Sequence, residues 1–521
     1  MERVRWLETE WSEDRVHESG RPVKAGEPEF KRPGNGAEEP GLTGVRASIV
    51  ALKVRNRTPS QGTQESGSGK EGKMQEQPTA VPRATGTQQA GETPARQARR
   101  QRWQWVEASI WTDRMLAALE TEVKGGVWFR LIDKVYSLKN LWSSWSKAAR
   151  NQGSSGVDGI TIDRYEKDVE ANLQRVSEQL RTGTYQPKAI RRAYLPKAEG
   201  QMRPLGIPTV QDRIVQGAVR HVIEPVFEKE FAPHSYGFRP GKGCKDALRR
   251  LDELLKSGWR YVVDADLKSY FDTIPHQRLM QELSRRVADG RVLSLIEAFL
   301  EANIMDSVDQ WTPTAGAPQG AVLSPLLSNI YLNPLDHLMA DKGYEMVRYA
   351  DDFVILCRSE QDAEAALELV KQWTAQAGLS LHPHKTRRID TATEGFEFLG
   401  YRFDKGRHWP RDKSKKKLRE AIRRHTRRAN GDSLKVTIDR INPVLRGWFG
   451  YFKHSPKWAM QEVDGWVRMR LRSILRKRQK RTGRGRGADH QRWPNAFFAA
   501  HGLFSLAQAR GWACQSMQVA H

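Results

Sequence analysis

The segment Tyr344-Glu-Met-Val-Arg-Tyr-Ala-Asp-Asp-Phe-Val-Ile-Leu-Cys357 sets two adjacent carboxylates, Asp351 and Asp352, between two apolar, β-prone runs. That pattern predicts a β-hairpin with the acids at its tip. Like charges crowded at a tight turn repel one another unless a cation joins them. Mg²⁺, which favours carboxylate and phosphate oxygens, is the natural occupant. A solvated turn accounts for the same residues, since Asp is common in turns. The stretch leaves both readings open, and the remainder of the chain has to decide between them.

Upstream, Tyr261-Val-Val-Asp-Ala-Asp-Leu-Lys-Ser-Tyr-Phe-Asp-Thr-Ile274 begins as a strand in which Asp264 and Asp266 share a face by the period of two. Acids are unfavourable in a β-branched strand. An edge strand with a wet face is the plain explanation, but the acidic hairpin tips the balance toward function. Phosphoryl transfer through two Mg²⁺ ions needs carboxylates that bridge both ions and leave room for the attacking and leaving oxygens. Asp266 and Asp351 meet that need if their strands are adjacent.

Composition narrows the partner. The 521 residues suffice for two or three domains. Lys and Arg number 86 against 62 Asp and Glu, a net charge of +24 that suits nucleic acid. The first residues show no apolar secretory region, no apolar run is long enough to span a bilayer, and no lipidation signal stands out, so no membrane partner is expected. Cys244, Cys357 and Cys514 form no CxxC pair, which fits a reducing compartment.

Along the chain, residues 1–105 are rich in Gly, Pro, Ser, Thr, Gln and charge, and predict disorder. Within them Arg96, Arg99, Arg100 and Arg102 beside Trp103 and Trp105 are a candidate for loose RNA contact. Helical spacing runs through 115–119, 128–136 and 166–180. Residues 190–208 read as strand, Gly-bearing turn and strand, with Lys197 and Arg203 able to clamp a triphosphate or to serve as strand-edge charges. A Gly/Pro loop carrying Gln319 and Gly320 feeds an apolar helix with Pro325 in its first turn. Residues 404–487 hold 27 Lys and Arg against 7 acids, an excess of 20 out of the chain's 24. Two apolar faces there, through Leu434 to Phe452 and Val463 to Leu475, predict helices, with Pro443 as a kink or a new start. Arg468, Arg472 and Arg476 line one face at i, i+4 spacing and are the predicted phosphate contacts.

Eight ordered signatures resemble the reverse transcriptases of group II introns over about residues 110–510: Gly156-Val-Asp-Gly159, Arg203-Pro-Leu-Gly-Ile-Pro208, Ser235-Tyr-Gly-Phe-Arg-Pro240, Asp266-Leu-Lys-Ser-Tyr-Phe-Asp272, Pro318-Gln-Gly320, Tyr349-Ala-Asp-Asp352, Leu381-His-Pro-His-Lys-Thr386 and Phe398-Leu-Gly-Tyr401. The resemblance implies an α+β right-hand polymerase. Fingers and palm would span 106–403 with a core at 178–403, a helical thumb or maturase region 404–487, and a tail 488–521. It implies two Mg²⁺ ions held by Asp266, Asp351 and the Leu267 carbonyl, with Asp352 a weaker ligand. Asp264 and Asp272 would support them. Lys197 and Arg203 would hold the incoming triphosphate, Gln319 and Gly320 would line the nucleotide pocket, Lys385 would lie near the site, and residues 398–401 near the primer terminus.

The same resemblance makes Asn442-Pro-Val-Leu-Arg-Gly-Trp-Phe-Gly-Tyr-Phe452 a maturase signature. Implied partners are the intron RNA, an RNA template with a DNA primer, dNTPs and a DNA target, in the bacterial cytosol and at the nucleoid during DNA work. Two departures stand out. No paired Cys and His ligands for an HNH endonuclease are present, which implies a pre-existing primer, and Pro383-His384 replaces an acidic residue before Lys-Thr. A splicing-only maturase and a free-standing reverse transcriptase in phage defence are the rival readings; the intact acids oppose the first and the thumb signature the second. In this family an aromatic ring at Phe271 packs where a ribose 2′-OH would lie. Phe271→Ala is therefore expected to admit ribonucleotides in primer extension, and unchanged sugar discrimination would remove that role.

Overall fold

In the computed structural model the acidic stretch forms the expected hairpin. Tyr349 pairs with Asp352, and only Ala350 and Asp351 lie between the strands. The structure describes residues 94–196, 202–306, 309–429, 431–481 and 487–518, all in one unit of the chain. In chain order the strands are β1 Ile190–Pro196, β2 Met202–Ile207, β3 Tyr261–Asp266, β4 Ile304–Asp306, β5 Asp309–Trp311, β6 Glu345–Tyr349, β7 Asp352–Cys357, β8 Arg387–Asp390, β9 Phe396–Phe398, β10 Tyr401–Asp404 and β11 Arg407–Pro410. They form sheets of order β6-β7-β3-β8, β2-β1-β4-β5 and β11-β10-β9.

The first of these is the antiparallel palm sheet. Its strands alternate sides as a pleat requires. Val263, Ala265, Phe353 and Ile355 enter one core together with the helices Ser324–Asp341 and Glu360–Gln376. Val262, Val347, Val354 and Leu356 enter a second core with the helix Cys244–Lys256. Because β3 lies between β7 and β8, the edge-strand explanation for its acids is excluded.

The second core does not stop at the palm. It continues through Phe398, Tyr401 and Phe403 into Ile438, Leu445, Phe452, Val467 and Ile474, and on to Trp493, Phe498 and Leu506. The expected boundary at 404 thus falls inside β10 and inside continuous packing. Pro443 neither breaks nor restarts the helix Leu434–Phe452. The tail is docked by polar residues of the thumb: Asp464 accepts hydrogen bonds from the Ser505 hydroxyl (2.8 Å) and from the amides of Leu506 (3.0 Å) and Ala507 (3.1 Å), capping the helix Leu506–Gln518 from outside.

Near the start of the described chain the structure departs from expectation. Order begins earlier than residue 106, with a helix at Pro94–Arg102 followed by a buried Trp103. Arg96 and Arg99 pair with Asp113 and Glu120, and Trp103 Nε1 donates to Glu120 at 3.1 Å, so Trp103 of the proposed RNA-contact cluster serves packing, while Arg96, Arg100 and Arg102 stay exposed. The cluster's partners lie well downstream, out of reach of a local composition argument. Of 128–136, only Ile132–Val135 is helical. Trp128 exchanges strand-like hydrogen bonds with Arg286 and Ala288, and Asp289 takes the Leu131 and Ile132 amides at 2.6 and 2.9 Å. The disorder expected for residues 1–93 lies outside the described residues.

Asp464→Ala leaves three donors unmet, two of them amides at a helix start. It is expected to cost about 2 kcal/mol or more and to expose residues 488–518 to limited proteolysis while the palm stays protected.

Candidate active site

The register of β3 on β7 decides the site. Asp266 sits directly opposite Asp352, so their side chains emerge on the same sheet face. Asp351 stands one residue away in the turn and is 8% exposed. Beyond the end of β3, His382 N donates to Asp266 O (2.7 Å) and Lys268 N to Ser380 O (2.8 Å), flanking a bridge between Leu267 and Leu381. In such a pair the backbone groups of the bridging residue point away from the partner. The Leu267 carbonyl is thereby aimed toward the β6–β7 turn.

Cations answer the acids from the segment after Leu381. Lys385 Nζ lies 3.2 Å from Asp266 Oδ2, and Arg387 Nε lies 3.8 Å from Asp264, which is fully buried in β3. Burial and the Lys385 ammonium lower the His382 pKa from its ordinary value. Among the described residues no three His, Cys, Asp or Glu side chains already converge into a metal cage. Mg²⁺ is commonly held by one or two carboxylates together with substrate phosphates. Asp266, Asp351 and Asp352, with an ammonium beside the first, fit that kind of site.

The nucleotide-pocket candidates also converge. The Gly206 amide donates to the Gln319 carbonyl at 2.7 Å, which seats the Pro318-Gln-Gly320 loop on β2. Gly320 has φ +104°, and a Cβ there would stand 2.6 Å from the Gly206 carbonyl and against Leu205. Arg203, two residues before Leu205, shares that face of the hairpin. On the other side of the loop, the Ala317 amide donates to the Phe271 carbonyl at 2.7 Å. A Cβ on Gly316 would meet the same carbonyl at 2.9 Å. Lys197 lies outside the described residues.

The predicted phosphate row on the helix Lys457–Arg478 is corrected. Arg472 is buried: its guanidinium donates to the Trp493 carbonyl and to Asn495 Oδ1, both at 3.0 Å, and lies over the Phe498 ring. Arg476 Nη1 is 2.5 Å from the buried Asp489. Arg468 is half-buried. Spacing placed these arginines on one face, but the tail covers that face. The exposed basic stripe lies instead on the helix Asp412–His425 and just past it, where Lys416, Lys417, Arg423, Arg424, Arg427 and Arg428 recur opposite buried Leu418 and Ile422. Its paired cations, at 416–417, 423–424 and 427–428, were readable in the sequence.

Residues 195–403 match the family model for reverse transcriptase (RNA-dependent DNA polymerase), and residues 415–493 match the group II intron maturase-specific domain. Protein YkfC of Escherichia coli (strain K12) is 32% identical over 293 residues, covering 49% of this chain and 77% of that protein. The chain belongs to the group II intron reverse transcriptases. The group II intron-encoded protein LtrA of Lactococcus lactis subsp. cremoris is 38% identical over 187 residues, which are 36% of this chain and 31% of LtrA, so about a third of that relative's length is spanned. A solved chain of a partial Cas6-RT-Cas1–Cas2 complex is 25% identical, with 47% of this chain and 41% of that chain covered and a TM-score of 0.32. The reverse transcriptase match over residues 195–403, which contain the palm sheet, makes that sheet part of a right-hand polymerase, a fold that in general depends on divalent metal. Among the described residues no helix is long and apolar enough to cross a membrane.

Proposed function

We propose that this protein is the RNA-directed DNA polymerase of a group II intron and also binds the intron RNA as a maturase in splicing and retrohoming. The reading is carried by the register that sets Asp266 opposite Asp352 with Asp351 in the adjoining turn. When bound there, two Mg²⁺ ions would activate the primer 3′-hydroxyl and stabilise the departing pyrophosphate. Asp266 and Asp351 are the principal ligands, with the Leu267 carbonyl and Asp352 beside them. Lys385 keeps the Asp266 charge answered between nucleotide additions. Arg203 and Lys197 hold the dNTP triphosphate, Gln319 and Gly320 form the pocket wall, and Phe271 excludes a ribose. The template is RNA, the primer DNA, and the product is joined to a DNA target in the bacterial cytosol.

For RNA the exposed stripe after residue 412 replaces the arginines of the Lys457–Arg478 helix. Phosphate contacts supply most sequence-independent affinity, and each one steepens the salt dependence. The combined variant Lys416→Ala, Arg424→Ala and Arg427→Ala is expected to weaken RNA binding about tenfold and to lower the slope of log affinity against log salt by about two, with the melting midpoint unchanged. An unchanged slope removes the stripe from the interface. Asp351→Ala is expected to abolish Mg²⁺-dependent extension on an RNA template while sparing RNA binding. Retained synthesis would sink the metal assignment.

A further inference from the structure

Two residues before the β6–β7 turn, a guanidinium is sealed from solvent: Arg348 is 0% exposed. Its Nε donates to Asp336 Oδ1 at 2.7 Å, and its Nη2 completes a bidentate pair with the other Asp336 oxygen. Its Nη1 donates to two carbonyl oxygens, Asn329 Oδ1 and the backbone carbonyl of Ala350, each at 2.9 Å. Asn329 in turn donates from Nδ2 to the Gly237 carbonyl at 2.8 Å. Gly237 closes the ring from the far side, because a Cβ there would run into the Ala350 amide nitrogen and stand 2.9 Å from the Tyr349 carbonyl carbon. The Gly237 segment is itself stitched to β6, with Tyr236 N donating to Arg348 O (2.8 Å) and Arg348 N to His234 O (3.0 Å).

The object so gripped is a two-residue hairpin turn. Ala350 has φ +60°, and Asp351 is not among the described residues with positive φ. Positive φ at the first central residue alone defines a type II′ turn. The competing type I′ turn differs by a flip of the Ala350–Asp351 peptide, which would reverse the Ala350 carbonyl and require positive φ at Asp351 as well. Where the Asp351 carboxylate points therefore depends on which way that one peptide faces. Neither central residue is glycine, so the turn sequence does not select the type II′ backbone by itself. Arg348 bonds the Ala350 carbonyl in only one of the two orientations.

We propose that Arg348 is a positioning residue for Asp351: locked by Asp336 and Asn329, it holds the Ala350–Asp351 peptide in the orientation that presents the carboxylate to metal. This rests on Asp351 being a metal ligand. Arg348→Lys keeps a cation for Asp336 but offers one nitrogen where the guanidinium uses three. It is expected to lower kcat for primer extension at least tenfold and to raise the Mg²⁺ concentration for half-maximal rate at least fivefold. The dNTP KM and template–primer affinity should stay within twofold. Asn329→Ala leaves the ion pair intact and should raise the Mg²⁺ requirement at least threefold.

A folded Arg348→Lys enzyme with the wild-type Mg²⁺ requirement overturns the proposal, whether or not kcat falls, since a purely structural role would leave that requirement alone. Should Arg348→Lys fail to fold, a wild-type requirement in Asn329→Ala overturns it. Asp351→Ala keeps the two claims apart. Retained extension there defeats the ligand assignment, whereas lost extension beside wild-type behaviour of the other two variants defeats only the clamp.

Discussion

Carboxylates gathered on one sheet face repel each other, and much of the palm is arranged so that the repulsion is tolerated. Asp264, Asp266 and Asp352 share the face, with Asp351 at its margin. An ion taken out of water needs a partner and hydrogen bonds to offset its lost hydration. Lys385 and Arg387 supply positive charge from the segment after Leu381. Arg348 acts from the opposite face, where burial alone would weaken its charge but the Asp336 carboxylate more than compensates. None of these cations comes from β3, and only Arg348 comes from the β6–β7 hairpin. The site is therefore electrostatically complete only in the folded chain.

The packing behind that face ties the polymerase site to the thumb. Tyr451 donates its hydroxyl to the Leu399 carbonyl and Tyr401 donates its own to the Tyr451 carbonyl, both at 2.8 Å. The Gly400 carbonyl accepts from the Ser414 hydroxyl at 2.9 Å and from the Arg411 amide at 3.1 Å. Residues 399–401 are thus held from the thumb as well as from their own sheet. These bonds tie the helix Leu434–Phe452 directly to the turn at Leu399 and Gly400, so palm and thumb share one packed seam.

Patterns of short range were legible. The hairpin, the shared face of Asp264 and Asp266, the helix with Pro325 at its start and the amphipathic faces after residue 434 follow from periods of 2 and 3.6. The failures share one cause. Arg472 and Arg476 lie on one helical face as spacing requires, but spacing cannot say that Trp493, Asn495 and Asp489 cover it. Trp128 sits in a helical pattern, yet hydrogen bonds to Arg286 and Ala288 won the backbone. Trp103 sits in a polar stretch and is buried because a carboxylate and a core await it.

By itself, then, the sequence determined which residues carry charge, which faces are apolar, and that the acids Asp266, Asp351 and Asp352 recur in the order of a group II intron reverse transcriptase. Only the tertiary structure decided that β3 is interior, that Asp266 lies opposite Asp352, that the tail rather than RNA occupies Arg472, and that Arg348 grips the turn bearing Asp351. The physical reason is range. Periodicity reports the side of an element on which a residue lies, whereas register and burial depend on partners tens to hundreds of residues away.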